Sequence, residues 1–377
     1  MKYVSLLLLF LASVPLSAQV KTEELASKAL GTSRTIRVVT PPYYETDKNK
    51  KYPLLLLLDG EYMLEPFSGN LSYAYYWDEL PETIIVAVDN IDPKQRAADT
   101  EVDETTGLPT GTGDKFFQFI ADELLPYLSK TYRVSPFRII AGHDVTARTA
   151  NFFLYKQPTP FRGYINFSPE MAPEMENRLA ETLKNTKENI FYYVCSADGD
   201  IPRLKRKIKE LDENLKTINS PNVKYVYEEY THGSHYSLIP FGIPGALYGI
   251  FASYRPISPI EYQEKIVTLP SGYVKYLTDK YDIIKQDLGT DMPVRLTDFK
   301  AIEAAILKNN AYEELKELAK IARKSYPKTT IGEYYEALYY EMTGDYAKAK
   351  KVYLNSYSLN PVGEYTKDFM IQRAEKL

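Results

Sequence analysis

Residues 137–148, Phe-Arg-Ile-Ile-Ala-Gly-His-Asp-Val-Thr-Ala-Arg, constrain the fold more than any other stretch. An apolar run ends at Gly142, a sharp His143-Asp144-Val145 corner follows, and a helix-like segment continues from it. A short apolar run bounded by turn residues reads as a strand buried on both faces. Two more such runs lie upstream: 53–58, ending in Asp59-Gly60, and 83–88. A corner that turns a buried strand into a helix demands a layered α/β architecture.

The rest of this part of the chain agrees. Residues 34–40 alternate and read as a strand that Pro41-Pro42 stops. Residues 161–167, 190–195 and 223–230 read as strands. Residues 114–132 show helical spacing, with Phe116, Phe117, Ile120, Leu124 and Leu128 on one side. Residues 202–218 are amphipathic, and 243–254 read as a closing helix. Residues 91–113, polar and rich in Asp, Thr and Gly, read as a long surface loop. Strands alternating with helices predict a doubly wound, mostly parallel sheet, within a domain spanning 19–255.

A chain of 377 residues argues for more than one folding unit. From about residue 256 the strand-like runs stop. Arg255-Pro256, Pro259 and Pro270 punctuate a connector, 256–294, and the chain reads as helical from Leu296 onward. Pro327 and Pro361 lie 34 residues apart, the tetratricopeptide period. Ala337, Tyr340, Ala349, Tyr353 and Pro361 occupy the small, aromatic and proline positions of that repeat. Residues 295–377 are therefore expected to form a small all-α, tetratricopeptide-like tail, capped by a helix over 364–376. Such a tail is expected to pack on the first domain; the other reading is a groove that holds a protein partner.

Lys2, an apolar run over 4–14 and Pro15-Leu16-Ser17-Ala18 describe a secretory signal peptide, 1–18, cleaved near Ala18. The run is too short to span a bilayer, so a periplasmic or secreted protein without a transmembrane segment is expected. Cys195 is the single Cys, so the exported chain has no internal disulfide. A formal net charge of −4 gives no basic footprint for nucleic acid. Three His residues without a Cys/His cluster predict no metal and no cofactor. The 34 tyrosines are expected to sit mostly half-buried, although tyrosines also line carbohydrate and aromatic-ligand grooves.

The corner at Asp144 resembles the nucleophile elbow of the α/β-hydrolases, which usually reads G-x-S-x-G. Here Asp144 stands at the Ser position and Thr146 at the last Gly. Over residues 30–254 the chain resembles the esterase D-like branch of that fold, the group that includes enterochelin esterases and acyl transferases. The resemblance rests on several segments: Leu57-Leu58-Asp59-Gly60, Arg96 with Asp99, Gly113-Asp114-Lys115-Phe116, and Glu123-Leu124-Leu125-Pro126-Tyr127. Ala141-Gly142-His143, Phe161 through Ser168-Pro169, and His235-Tyr236-Ser237 complete it. It implies a catalytic set of position 144, an acid after the strand 190–195, and a His. Asp200 is preferred for the acid, with Asp198 as the alternative, and His235 for the base, with His232 as the alternative. The resemblance also implies an oxyanion hole made of the backbone N–H of Val145 and one near Glu61 and Tyr62.

A Ser nucleophile loses its proton to His as it attacks. A carboxylate at 144 has no such proton, is a weak nucleophile towards esters, and repels a developing oxyanion. An ionic pair with protonated His235 is the alternative to a hydrolytic triad. Gly142-His143-Asp144 is also similar to the elbow of epoxide hydrolases and haloacid dehalogenases, which use Asp. Their tryptophan-rich pocket has no counterpart in a chain whose one Trp is Trp77. The expectation is an exported esterase-like protein without ordinary serine-esterase activity, binding a small ester or acyl ligand. The alternatives are an active ester hydrolase and a scaffold built on the helical tail.

Overall fold

The computed structural model describes residues 19–42, 44–90 and 92–377. The signal peptide expected over 1–18 lies outside the described residues. Eight strands make one sheet: β1 (Gln19–Ala26), β2 (Ser33–Thr40), β3 (Tyr52–Leu58), β4 (Ile84–Val88), β5 (Val134–His143), β6 (Gly163–Phe167), β7 (Ile190–Gly199) and β8 (Val223–Ser234). Their order is β1-β2-β4-β3-β5-β6-β7-β8. β1 and β2 pair antiparallel, as do β2 and β4, and every pair from β4 to β8 is parallel.

The helices of the first domain are α1 (Gly60–Tyr76), α2 (Pro93–Asp99), α3 (Gly111–Gln118), α4 (Leu125–Thr131), α5 (Val145–Phe152), α6 (Met175–Asn185), α7 (Pro202–Lys216) and α8 (Leu238–Ile250). They cover both faces of the sheet, and the central strands show why. All seven residues of β3 are buried. Successive side chains of a strand point to opposite faces. Leu54, Leu56 and Leu58 therefore join one core, with Phe116, Leu128, Leu179 and Ile208. Leu55 and Leu57 join the other, with Phe67, Leu71, Ile243 and Leu247. A continuous apolar run is thus what two-sided burial requires.

Four local features depart from the sequence reading. β1 is a polar edge strand with no alternation, held by its full register on β2. α1 contains Pro66 and Gly69, both poor helix formers, yet Met63, Leu64, Phe67, Leu71 and Ala74 bury one face and override them. The stretch 91–113 is not a loop throughout, because α2 begins where the Asp92 side chain caps the N–H of Lys94 at 2.9 Å and Pro93 fills the first turn. The helix expected over 114–132 is split by a wider turn, Phe119–Leu124, next to Pro126, which has no N–H to continue the ladder.

Beyond residue 255 the chain is helical: the one-turn α9 (Pro259–Glu261), α10 (Tyr273–Leu288), α11 (Leu296–Lys308), α12 (Glu314–Ser325), α13 (Thr330–Met342), α14 (Tyr346–Asn355) and α15 (Lys367–Glu375). The stretch read as a connector carries α10, whose Ile284 and Leu288 enter the core of the first domain. Phe299, Ile302, Leu318, Tyr335 and Tyr353 build a third core of their own. The turns before α13 and α15 meet, with Thr330 N–H donating to Asn360 O and Asn360 N–H to Lys328 O, both at 3.0 Å. No helix among the described residues is long and apolar enough to cross a membrane.

An ion pair between a buried arginine and an exposed carboxylate fastens this region to the first domain. The Arg295 guanidinium bonds both carboxylate oxygens of Asp78 and lies 4.2 Å from the centre of the Tyr254 ring. Tyr254 donates to the same Asp78 at 3.0 Å. Next to it the fully buried Asp298 accepts from Tyr281 at 2.7 Å and from the Ile257 N–H at 2.8 Å. Removing the Arg295 side chain takes the ion pair from Asp78 and the stacked guanidinium from Tyr254. Arg295→Ala is expected to lower the unfolding free energy by about 1–3 kcal/mol, read by urea denaturation.

Candidate active site

Between β3 and β5 the connections reverse direction: the chain leaves β3 for β4 on one side and returns to β5 on the other. Such a switch point opens a crevice beyond the carboxyl ends of the strands. Asp59 follows β3, Asp144 follows β5, Ser168 follows β6, Asp200 follows β7 and His235 follows β8. The topology alone gathers these five residues at one end of the sheet.

Asp144 has φ 59° and ψ −120°, a conformation that costs a non-glycine residue about 1–3 kcal/mol. Its surroundings enforce it. Asp144 N–H donates to Phe167 O at 3.0 Å, and Asp144 O accepts from Glu170 N–H at 3.1 Å and Arg148 N–H at 3.2 Å. Gly142 lets the corner close: a Cβ there would lie 2.6 Å from the backbone of Thr146 and of Ala147. Thr146, at the motif's last Gly position, is no passive replacement. Its hydroxyl donates to Asp59 at 2.5 Å and accepts from the His143 N–H at 2.9 Å.

The carboxylate of Asp144 is held above its usual pKa, first by burial and then by Glu170; Arg96, 3.9 Å away, and His235 oppose this. The Val145 N–H, an orphan donor at the start of α5, also favours the charged form of that carboxylate. Glu170 is itself paired with Arg148 at 2.6 Å and with Arg203.

His235 is 8% exposed, and its Nδ1 lies 2.8 Å from Asp200 Oδ1. Burial works against the Asp200 charge, but the hydrogen bonds from His235 and from the Ile201 N–H, at 2.8 and 2.7 Å, help hold its pKa below the usual range. Asp198 and His232 pair elsewhere. Both are exposed, and the Asp198 carboxylate accepts the main-chain N–H of His232 at 2.8 Å. His232 has φ 60°.

His143 packs against His235 with ring centroids 4.4 Å apart. Its Nε2 is 3.0 Å from the His235 carbonyl, which only accepts, so that nitrogen carries the hydrogen. Burial and then the charge of His235 depress the His143 pKa to about 4, so the ring is neutral at pH 7. Its Nδ1 lies 3.1 Å from the Tyr62 hydroxyl. Tyr62 donates to Asp59 at 2.8 Å, and Arg96 donates to Asp59 at 2.7 and 3.1 Å and to His143 O at 3.1 Å.

Of the positions expected to form an oxyanion hole, Val145 and Glu61 stand in the first turns of α5 and α1, and Tyr62 follows Glu61. The Glu61 side chain accepts from the Asn90 N–H at 2.9 Å, while the Tyr62 N–H makes a long 3.4 Å bond to Asp59 O. The roles of Asp59 and Thr146 in fixing the elbow, and of Glu170 in flanking it, were not read from sequence. The strand-end positions of Asp59 and Ser168-Pro169-Glu170 were the available signal.

The family model described as "Putative esterase" matches residues 27–227, more than half of the chain. The chain belongs to this esterase family of α/β-hydrolases. No curated protein matches it. Among solved structures it is similar to an uncharacterised protein from Capnocytophaga ochracea, at 26% identity and TM-score 0.85, covering 95% of this chain and 100% of that one. An IroE-like serine hydrolase from Shewanella oneidensis has 17% identity and TM-score 0.62, covering 81% and 99%. The BES protein from Bacillus cereus has 21% identity and TM-score 0.54, covering 66% and 98%. The last two are likenesses of fold.

Two stability tests follow for this esterase-family site. Gly142→Ala drives a methyl group into the α5 backbone and is expected to cost about 1–3 kcal/mol in chemical denaturation. Asp144→Asn removes a charge that the folded site disfavours. The penalty exists above the native pKa of Asp144 and disappears below the unfolded value, about 4. The variant is therefore expected to melt higher than wild type at pH 7, with the gain fading as the pH falls towards that value; a gain independent of pH contradicts the charge penalty.

Proposed function

We propose that this is an exported member of the esterase family whose elbow binds a small ester or acyl ligand without turning it over by serine chemistry. The observation that carries the reading is the carboxylate of Asp144 at the strained corner where the fold presents a nucleophile. In this reading position 144 is the nucleophile position, His235 the base and Asp200 the acid that orients it. The Nδ1 contact with Asp200 leaves Nε2 of His235 available to the elbow. Val145 supplies one oxyanion N–H and the Glu61–Tyr62 turn the other. The Asp144 carboxylate stands at the start of α5, which places negative charge where an oxyanion would need donors. The helical tail, tetratricopeptide-like in its spacing, acts as a structural appendage on the first domain.

A second reading, an active ester hydrolase working through Asp144, draws on the Asp200–His235 pair at 2.8 Å. The test is hydrolysis of an activated short-chain aryl ester by wild type, Asp144→Ser, and Asp144→Ser with His235→Ala. The proposal expects turnover only from Asp144→Ser, lowered about 10²–10⁴-fold by the added His235→Ala, the usual contribution of a general base. Turnover by the wild type would favour the second reading and sink the first.

A further inference from the structure

At the end of the sheet opposite the elbow, where β3 and β4 begin, the first domain meets the helical region along a trough. One lobe of about 400 Å³ is lined by Lys50, Tyr75, Tyr76, Asp78, Glu82 and Tyr254. A second lobe of about 700 Å³ shares Lys50, Glu82 and Tyr254 and continues to Asp47, Lys51 and Asp291. Both volumes suit a small ligand, and junctions between domains are a favoured place for one. Four carboxylates, Asp47, Asp78, Glu82 and Asp291, face two ammonium groups, Lys50 and Lys51. Three of these carboxylates are already paired, Glu82 with Lys50, Asp78 with Arg295 and Asp291 with Lys285, so the walls carry little net charge.

The last turns of α1 add an aromatic surface. Tyr73, Tyr76 and Trp77 are 69%, 74% and 61% exposed. Residues three and four apart share a helix face, so the three rings form one stripe. It runs into the smaller lobe through Tyr76, with Trp77 edge-on to Tyr76 at a centroid distance of 5.0 Å. Large exposed aromatics gathered beside a concave surface mark a binding site.

We infer that this trough binds a neutral oligosaccharide. A pyranose ring offers an apolar C–H face and a rim of hydroxyl groups. The tyrosine and tryptophan rings provide flat apolar platforms for the face. The carboxylates, ammonium groups and tyrosine hydroxyls supply acceptors and donors for the rim. An acidic saccharide finds Lys50, Lys285 and Arg295 already committed to carboxylates. The site is separate from the elbow and does not depend on whether Asp144 supports catalysis.

Trp77 is the chain's single tryptophan, so intrinsic indole fluorescence reports on this surface alone. The intact protein is titrated with neutral hexasaccharides of xylose, glucose, mannose and N-acetylglucosamine, and with an oligogalacturonate as the acidic counterpart. A saturable change is expected with at least one neutral saccharide and none with the acidic one. Tyr76→Ala is expected to weaken that binding by about tenfold, the loss of one stacking partner. Trp77→Ala, followed by calorimetry, is expected to weaken it similarly, with the melting temperature unchanged in both variants. The inference is overturned if no neutral saccharide binds, if both variants bind like wild type, or if the oligogalacturonate binds more tightly than the neutral sugars.

Discussion

A buried carboxylate, Asp59, holds the walls of the site in register. It is fully shielded from solvent and receives Arg96 from α2, Tyr62 from α1 and Thr146 from the elbow. A charge in such a place is tolerable only when donors surround it. That requirement draws three separate elements to the carboxyl end of β3. Tyr62 in turn touches His143, and His143 bonds the main chain of His235. The position of the His235–Asp200 pair is thus coupled to a carboxylate that takes no part in it.

Around this anchor the elbow holds Asp144 at φ 59° and ψ −120°, and its carboxylate sets the local chemistry. Asp144 carries charge into a half-buried crevice, beside Glu170, where burial already disfavours it. Arg96 is committed to Asp59, and Arg148 and Arg203 to Glu170. Asp144 therefore has only a distant share of a cation, the Arg96 guanidinium at 3.9 Å. A site arranged this way receives hydrogen-bond donors more readily than it stabilises a new negative charge.

The apolar runs made most of the sheet legible. Seven consecutive buried residues in β3 serve two cores at once, and no other arrangement needs so many. The elbow was equally plain, because Gly142 and the abrupt strand-to-helix change fall together. β1 was hidden because an exposed edge strand needs no apolar side, and α1 because tertiary burial outweighs Pro66 and Gly69. Sequence only favoured Asp200 over Asp198 and His235 over His232, because the members of each pair lie two or three residues apart; the strand ends bring Asp200 and His235 together. Thr146 shows the same limit. A motif comparison makes it a departure, whereas the fold uses its hydroxyl to tie the corner to Asp59.

The most direct test of the central claim is covalent capture. A fluorophosphonate probe labels a hydroxyl that a neighbouring base activates. Intact-mass and peptide analysis of the treated proteins is predicted to find Asp144→Ser labelled at residue 144 and the wild type unlabelled. An unlabelled Asp144→Ser protein that is folded, or a wild type labelled at another serine, would contradict the account of a preserved elbow that has lost its nucleophile.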